Sequence, residues 1–121
     1  MKPFGFNSRY KLLKTDEFSS VFSFRKRISG IHLIIHYMPN SAARSRLGLV
    51  VAKKVTRSAV ERNYMKRVLR ELFRLNRHRL GHVDLVIRPQ KTFGPSLYRE
   101  VCSEFDRAVA LIGKRSPAAP A

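Results

Sequence analysis

Cysteine, tryptophan and acidic side chains are scarce in this chain: one Cys, no Trp, and 8 Asp+Glu among 121 residues. The single cysteine, Cys102, cannot close an internal disulfide, and no set of Cys and His residues has the spacing of a zinc site. The few carboxylates do not form the clustered metal ligands of a protein-only nuclease. No apolar run approaches the roughly 20 residues of a membrane span, and the N-terminal MKPFGFNSRYKLLK lacks the apolar segment of a secretory signal. These absences lead to the expectation of a cytoplasmic chain with no membrane partner.

Positive charge is abundant. Against those 8 acids stand 25 Lys+Arg, a formal net charge of +17. A chain so charged repels itself unless polyanions are near, which points first to a nucleic-acid partner. With 44% hydrophobic positions, the length suits one domain with its own core and is too short for two of ordinary size. The Pro/Ala-rich SPAAPA of residues 116–121 and the aperiodic residues 1–11 are expected to be mobile.

Hydrophobic periodicity orders the elements. After Thr15 or Asp16, either a candidate N-cap, Phe18, Val21 and Phe22 recur at helical spacing, predicting a short helix that ends near Arg25. Residues 31–38 and 47–52 read as strands separated by Pro39-Asn40 and a polar loop, with room for a third strand within residues 25–52. Ser58-Ala59-Val60-Glu61 fits a capping box and predicts a helix to about Arg77. Gly81 stops it, residues 83–87 read as another strand, and Leu97, Val101, Phe105, Ala108 and Ile112 predict an amphipathic helix up to Gly113.

The helix over residues 58–77 has two faces. On a wheel with Arg62 at zero, Arg62, Asn63, Lys66, Arg67, Arg70, Arg74 and Arg77 occupy roughly 0–140°. Tyr64, Met65, Val68, Leu69, Leu72 and Leu75 occupy roughly 200–340°. Exposed Lys and Arg are ordinary on helices, and a solvated face is the bland reading. Here only Glu61 and Glu71 lie between Lys53 and Arg79, so repulsion along the face is largely uncompensated within the chain. Planar guanidinium forks suit phosphates, and Lys53, Lys54 and Arg57 extend the patch to the helix N-terminus.

Phe18 and Phe22 lie one turn apart and Tyr37 ends a strand; such aromatics either pack in a core or stack on unpaired bases. His32 and His36, four apart in an extended strand, are separated by about 13 Å, too far to share one metal. His78, His82 and Cys102 lack the neighbours that would give them chemistry. Glu61 reads as a cap, Glu71 as an exposed helix residue, and Asp16 and Glu17 as a helix start.

The stretch RSAVERNYMKRVLRE at Arg57 to Glu71, preceded by GLVVAKK at Gly48 to Lys54, resembles the signature of bacterial ribonuclease P protein subunits. YKLLKTDEFSSVF at Tyr10 to Phe22 resembles that family's first helix and DLVI at Asp84 to Ile87 its later strand, so the resemblance covers roughly residues 6–113. Arg62, Asn63, Lys66, Arg67 and Arg70 fall on basic positions of the family's Arg-Asn-Arg helix. The second arginine of that motif is replaced by Tyr64, at the edge of the apolar face. A strand position that often carries an aromatic in the family falls on Ile35, followed by His36 and Tyr37.

The resemblance implies an α+β fold, a single-domain α-β sandwich with about four strands in the order αβββαβα and a left-handed βαβ crossover. The domain is expected over residues 1–113, with a flexible tail at 114–121. The implied function is the protein subunit of a ribonucleoprotein endoribonuclease that removes the 5′ leader of precursor tRNA. Its RNA subunit is catalytic, and the protein alone is inactive. Expected RNA contacts are Lys53, Lys54, Arg57, Arg62, Asn63, Lys66, Arg67 and Arg70. Phe18 and Phe22 are expected on the wall of a cleft for the single-stranded leader. No catalytic or metal-binding residue is expected on the protein, Mg2+ being bound mainly by the RNA subunit and substrate. The expected partners are that RNA and precursor tRNA, with no protein partner required. A ribosomal or general RNA-binding protein is the rival reading. A DNA-binding regulator is a second one, disfavoured because no helix-turn-helix partner precedes the basic helix.

Overall fold

Four short strands pair into one mixed sheet in a computed structural model that describes residues 15–40 and 45–115, with side chains for 18–40 and 45–113. The chain runs α1 (Thr15–Phe24), β1 (Arg27–Ser29), β2 (Leu33–Pro39), β3 (Arg46–Leu49), α2 (Ala59–Leu80), β4 (Val83–Pro89) and α3 (Tyr98–Arg115). The spatial order is β1-β2-β4-β3. Neighbours are antiparallel except β3 and β4, which run parallel and are joined through α2. This is the α+β sandwich with αβββαβα order implied by the resemblance.

Strand alternation sorts the side chains to two faces. Leu33, Ile35 and Tyr37 of β2, Leu47 of β3, and Leu85 and Ile87 of β4 point to one face. There they pack with Met65, Leu69 and Phe73 of α2 and with Val101, Phe105 and Ile112 of α3. On the other face, Val86 and the α1 residue Val21 form a small buried pair, flanked by half-buried Phe18, Met38 and Val50. The sheet therefore has a thick core on one side and a thin layer under α1 on the other.

Several boundaries differ from the sequence reading, each for a local reason. The third strand is β1, three residues paired with Ser29 opposite Ile34 and Arg27 opposite His36. Ile31 lies in the bend before β2 and is exposed, and pairing instead continues through Pro39, opposite Val83. β3 starts at Arg46 and ends at Leu49, because Val50 to Ala52 turn away toward α2 after one last bond from Val50 N–H to the Ile87 carbonyl. α2 continues three residues past Arg77, burying Leu80, until Gly81 takes φ 72°, a conformation that favours glycine. α3 runs through Gly113 to Arg115. The proposed N-cap side chains of Thr15 and Asp16, and residues 116–121, lie outside the described residues.

The wheel for α2 also needs correction. Leu75, placed on the apolar face, is about half exposed, whereas Phe73 and Leu80, near 0–20° on that wheel, are fully buried. α3 packs beside the C-terminal half of α2 and shifts the buried sector there. The basic sector stays solvent-accessible along the helix, but Arg74 and Arg79 in the C-terminal half are paired with Glu71 and Asp106. Phe93, in the loop after β4, is also buried, and its ring meets Tyr64 edge to face at 6.2 Å. Tyr64 thus packs toward the core.

Two carboxylates tie the layers together. Asp84, buried on β4, accepts Arg46 Nε and Nη2 at 2.9 Å each and Asn40 Nδ2 at 2.6 Å, joining β3 and the end of β2 to the central strand. Glu104 of α3 accepts the backbone N–H of Leu33 at 2.7 Å and of His32 at 3.0 Å, holding the β1–β2 turn. A Cβ at Gly30 would collide with that carboxylate, so glycine lets the turn approach.

Candidate nucleic-acid interface

The basic surface begins where β3 gives way to α2. Val50 packs on the α1 side of the sheet and Val55 on the main core, so the intervening turn bridges the two faces. Val55 N–H bonds the Ala52 carbonyl at 3.0 Å to close the turn, and Thr92 Oγ1 donates to the Val55 carbonyl at 2.8 Å to hold it. Lys53, Lys54 and Arg57 project from this segment, exposed.

The capping arrangement of α2 is wider than the expected box. Ser58 Oγ accepts the Glu61 backbone N–H, as a capping serine should. The Glu61 carboxylate, however, accepts from Thr56 Oγ1, and Thr56 Oγ1 in turn accepts the Ser58 N–H at 3.1 Å. Thr56 is interposed because the turn folds back over the helix start. Glu61 is thereby occupied within the cap.

Beyond the cap, Asn63 and Arg67 are exposed, and Arg62, Lys66 and Arg70 are half-buried at the margin of the packed sector. Positions 62 to 70 span about 12 Å of helix axis, a length over which several phosphates of one strand can be met. Arg62 differs from the others: its Nη2 donates to the Thr56 carbonyl at 3.3 Å and its Nε is buried without a partner. It braces the turn that carries Lys53, Lys54 and Arg57. Farther along, Arg74 pairs with Glu71, so the cationic face is compensated there. Among the described residues no carboxylate pairs with Lys53, Lys54, Arg57, Arg62, Lys66, Arg67 or Arg70. The structure thus brings together all eight residues expected to contact RNA, on one turn and the adjoining half-helix.

The two phenylalanines lie on the other side of the bridge, on α1 where it packs against β2 and β4, the place expected for the cleft. Phe18 is half-buried beside Val21 and Val86, whereas Phe22 is 37% exposed. Phe22 meets the His36 ring edge to face, centroids 4.7 Å apart, and the Arg88 guanidinium carbon lies 6.0 Å from the Phe22 ring. Arg88 Nε donates to His36 Nε2 at 3.2 Å. Burial, together with the nearby Arg88 and Arg27 charges, lowers the His36 pKa below its ordinary 6.5.

Two strand positions that the sequence leaves open are decided here. Ile35 and Tyr37 both point into the main core, each 2% exposed, so neither faces the cleft and Tyr37 is no stacking surface. His36 occupies the cleft side instead. Strict alternation from Leu33, Ile35 and Tyr37 was the signal that could have placed it there. Arg88 had no such signal, because it meets His36 only through the β2–β4 register, in which Ile34 faces Arg88 and His36 faces Val86.

Among the described residues no group of three or more His, Cys, Asp or Glu is arranged to hold a metal ion, and no helix is long and apolar enough to cross a membrane. Guanidinium and ammonium groups on α2 and its turn are of the kind that neutralise phosphates, and exposed aromatic rings of the kind that stack on bases.

Known proteins resemble this chain in sequence and in fold. The chain is 48% identical over 93 residues to the ribonuclease P protein component of Chromobacterium violaceum, covering 77% of each chain. It is 51% identical over 83 residues to that of Aromatoleum aromaticum, covering 69% of this chain and 70% of the relative. In fold it is similar to a Staphylococcus aureus RNase P protein mutant with defective mRNA degradation activity, with a TM-score of 0.74 over 86% of this chain and 88% of that one at 18% identity. It is also similar to the RNase P protein from Thermotoga maritima, with a TM-score of 0.64 over 87% of this chain and 96% of that one at 26% identity. The Ribonuclease P family profile matches residues 6–113. With a cationic half-helix, an aromatic cleft and a family match across most of its length, this chain belongs to the ribonuclease P protein family.

Proposed function

We propose that this protein binds a catalytic RNA subunit and, with it, forms the endoribonuclease that removes the 5′ leader from precursor tRNA. The carrying observation is that two different recognition surfaces adjoin through one turn. Lys53, Lys54, Arg57, Asn63, Lys66, Arg67 and Arg70 neutralise closely spaced phosphates of the RNA subunit, and Arg62 holds their turn in place. Phe18 and Phe22 line the cleft that takes the unpaired leader. Seating the leader there stabilises precursor over mature tRNA, since only the precursor supplies an unpaired strand.

The protein carries no hydrolytic group in this reading. Magnesium ions held by the RNA subunit and substrate supply the phosphodiester chemistry, and the basic face reduces the magnesium needed to offset phosphate repulsion. The enzyme works in the cytoplasm, over a protein domain at residues 1–113 with a short tail at 114–121, and needs no second protein.

The test is to mix the purified chain with a bacterial ribonuclease P RNA and 5′-labelled precursor tRNA at low magnesium, beside RNA-only and protein-only controls. Release of intact leader only by the mixture is the expected result. If the mixture cleaves no faster than RNA alone where the protein is bound, the protein is a general RNA-binding protein instead.

A further inference from the structure

We propose that His36 is a positioning residue of the α1–sheet cleft: its unprotonated Nε2 holds Arg88 by the Nε–H, fixing the guanidinium beside the Phe22 ring to receive an unpaired ribonucleotide. The inference rests on the leader-binding reading and adds to it the group that orients the cleft's arginine.

The Arg88 guanidinium donates hydrogen bonds and accepts none. Its Nε always carries a hydrogen, so the 3.2 Å contact to His36 Nε2 makes the histidine nitrogen the acceptor. The imidazole must then be neutral and carry its proton on Nδ1, the less usual tautomer of a free histidine. Three elements press on this ring: α1 through Phe22, β4 through Arg88, and β1 through Arg27, which lies directly opposite His36. Both charged neighbours are cations, so protonating His36 would set a third positive charge among them. The lowered pKa of His36 agrees with that.

The geometry then divides the arginine's work. With Nε committed to His36, no acceptor among the described residues takes the two Nη groups. These retain the forked donor edge that fits a phosphate or a base edge, and the Phe22 face alongside offers a stacking surface. A free arginine on a strand samples many rotamers; one tied at Nε does not, and less freedom is lost when the ribonucleotide binds.

Two measurements test this. The first needs no RNA: the ¹⁵N signals of His36 in the free protein, above its pKa, should show Nδ1–H and a bare Nε2. In Arg88→Ala the same ring should drift toward the Nε2–H form. Finding Nε2–H in the native protein overturns the proposal.

The second uses the holoenzyme and reads its affinity for leader-bearing precursor relative to mature tRNA. His36→Phe keeps a ring against Phe22 but has no acceptor, and should lower this ratio roughly three- to tenfold, the net value of one ordinary hydrogen bond lost as an orienting contact. His36→Gln places an amide oxygen within reach of Nε–H and should recover most of the loss. In an Arg88→Ala background His36→Phe should add nothing, whereas additive losses overturn the coupling. If His36→Phe melts far below the native protein, the tautomer measurement and His36→Gln decide the matter. Phe22→Ala and Arg88→Ala separate the two ideas. If both lower the ratio and His36→Phe does not, the positioning role falls and leader binding stands. If neither lowers it, leader binding fails and the His36 inference falls with it.

Discussion

The two faces of the sheet are built to different standards. Under α2 and α3, large apolar side chains such as Tyr37, Phe73, Phe93 and Phe105 are fully buried, and packing, pinned at one end by Glu104, holds the layers. Under α1, the fully buried apolar content is Val21 and Val86, flanked by half-buried Phe18, Met38 and Val50, and the face also carries His36, Arg88, partly exposed Phe22 and the Asp84 network. Under the proposed function this face takes an unpaired strand, and such a face cannot also be sealed by packing. The fold places its stability on one side and leaves the other polar, aromatic and reachable.

The comparison can be broken most severely from the packed side. Phe105→Ala empties the middle of the core and should cost about 3–5 kcal/mol, abolishing or nearly abolishing cooperative unfolding in a denaturant titration. A loss below about 1 kcal/mol would show that α3 is not essential to the core.

Asp84→Ala attacks the polar side at its most buried point. It strands Arg46 and Asn40 and should cost about 2–3 kcal/mol, less than a fully buried pair because Arg46 retains some solvent. Replacing Arg46 by Met in the same background should recover part of the loss in thermal melts, because the unpaired charge is then removed.

Phe22→Ala sharpens the contrast, since it should change stability by less than about 1 kcal/mol while lowering precursor selectivity. A large fall in melting temperature would place Phe22 among the structural residues instead.

The smallest effect is a pH dependence. The folded pKa of His36 lies below its unfolded value near 6.5, so above that pH both states are neutral and the histidine costs nothing. As pH falls through 6.5 the unfolded chain takes up the proton first, and stability declines until the folded pKa is passed. His36→Phe should therefore lose less melting temperature than the native protein on acidification from pH 7 toward pH 5. Parallel decline in both proteins would assign the acid sensitivity to other groups.

Element order and the basic helix were legible in the sequence because each is a local pattern. Helical periodicity marked α2 and α3, and turn residues separated the strands. The clustering of arginines without acidic partners marked the cationic surface, and the RSAVERNYMKRVLRE stretch supplied the family. The eight residues expected to contact RNA come together because the nine connecting residues 50–58 and half a helix carry them all. Arg62 was legible as a cation but not as a brace, since its partner is a backbone carbonyl that the turn folds into place.

What escaped the sequence depends on contacts between distant segments. The α2 wheel failed at Leu75 and Phe73 because α3, far along the chain, decides which side of the helix end is covered. Alternation along β2 separates His36 from Ile35, but which of the two sheet faces is thinly covered was decided only by how the three helices pack. The pairing of His36 with Arg88 depends on a register between strands about 50 residues apart, which no local pattern encodes. Local periodicity and composition thus determined the elements, the charge and the family of this protein. Only the tertiary structure decided which face is open, which cations are braced, and which histidine meets the arginine, because those follow from long-range pairing.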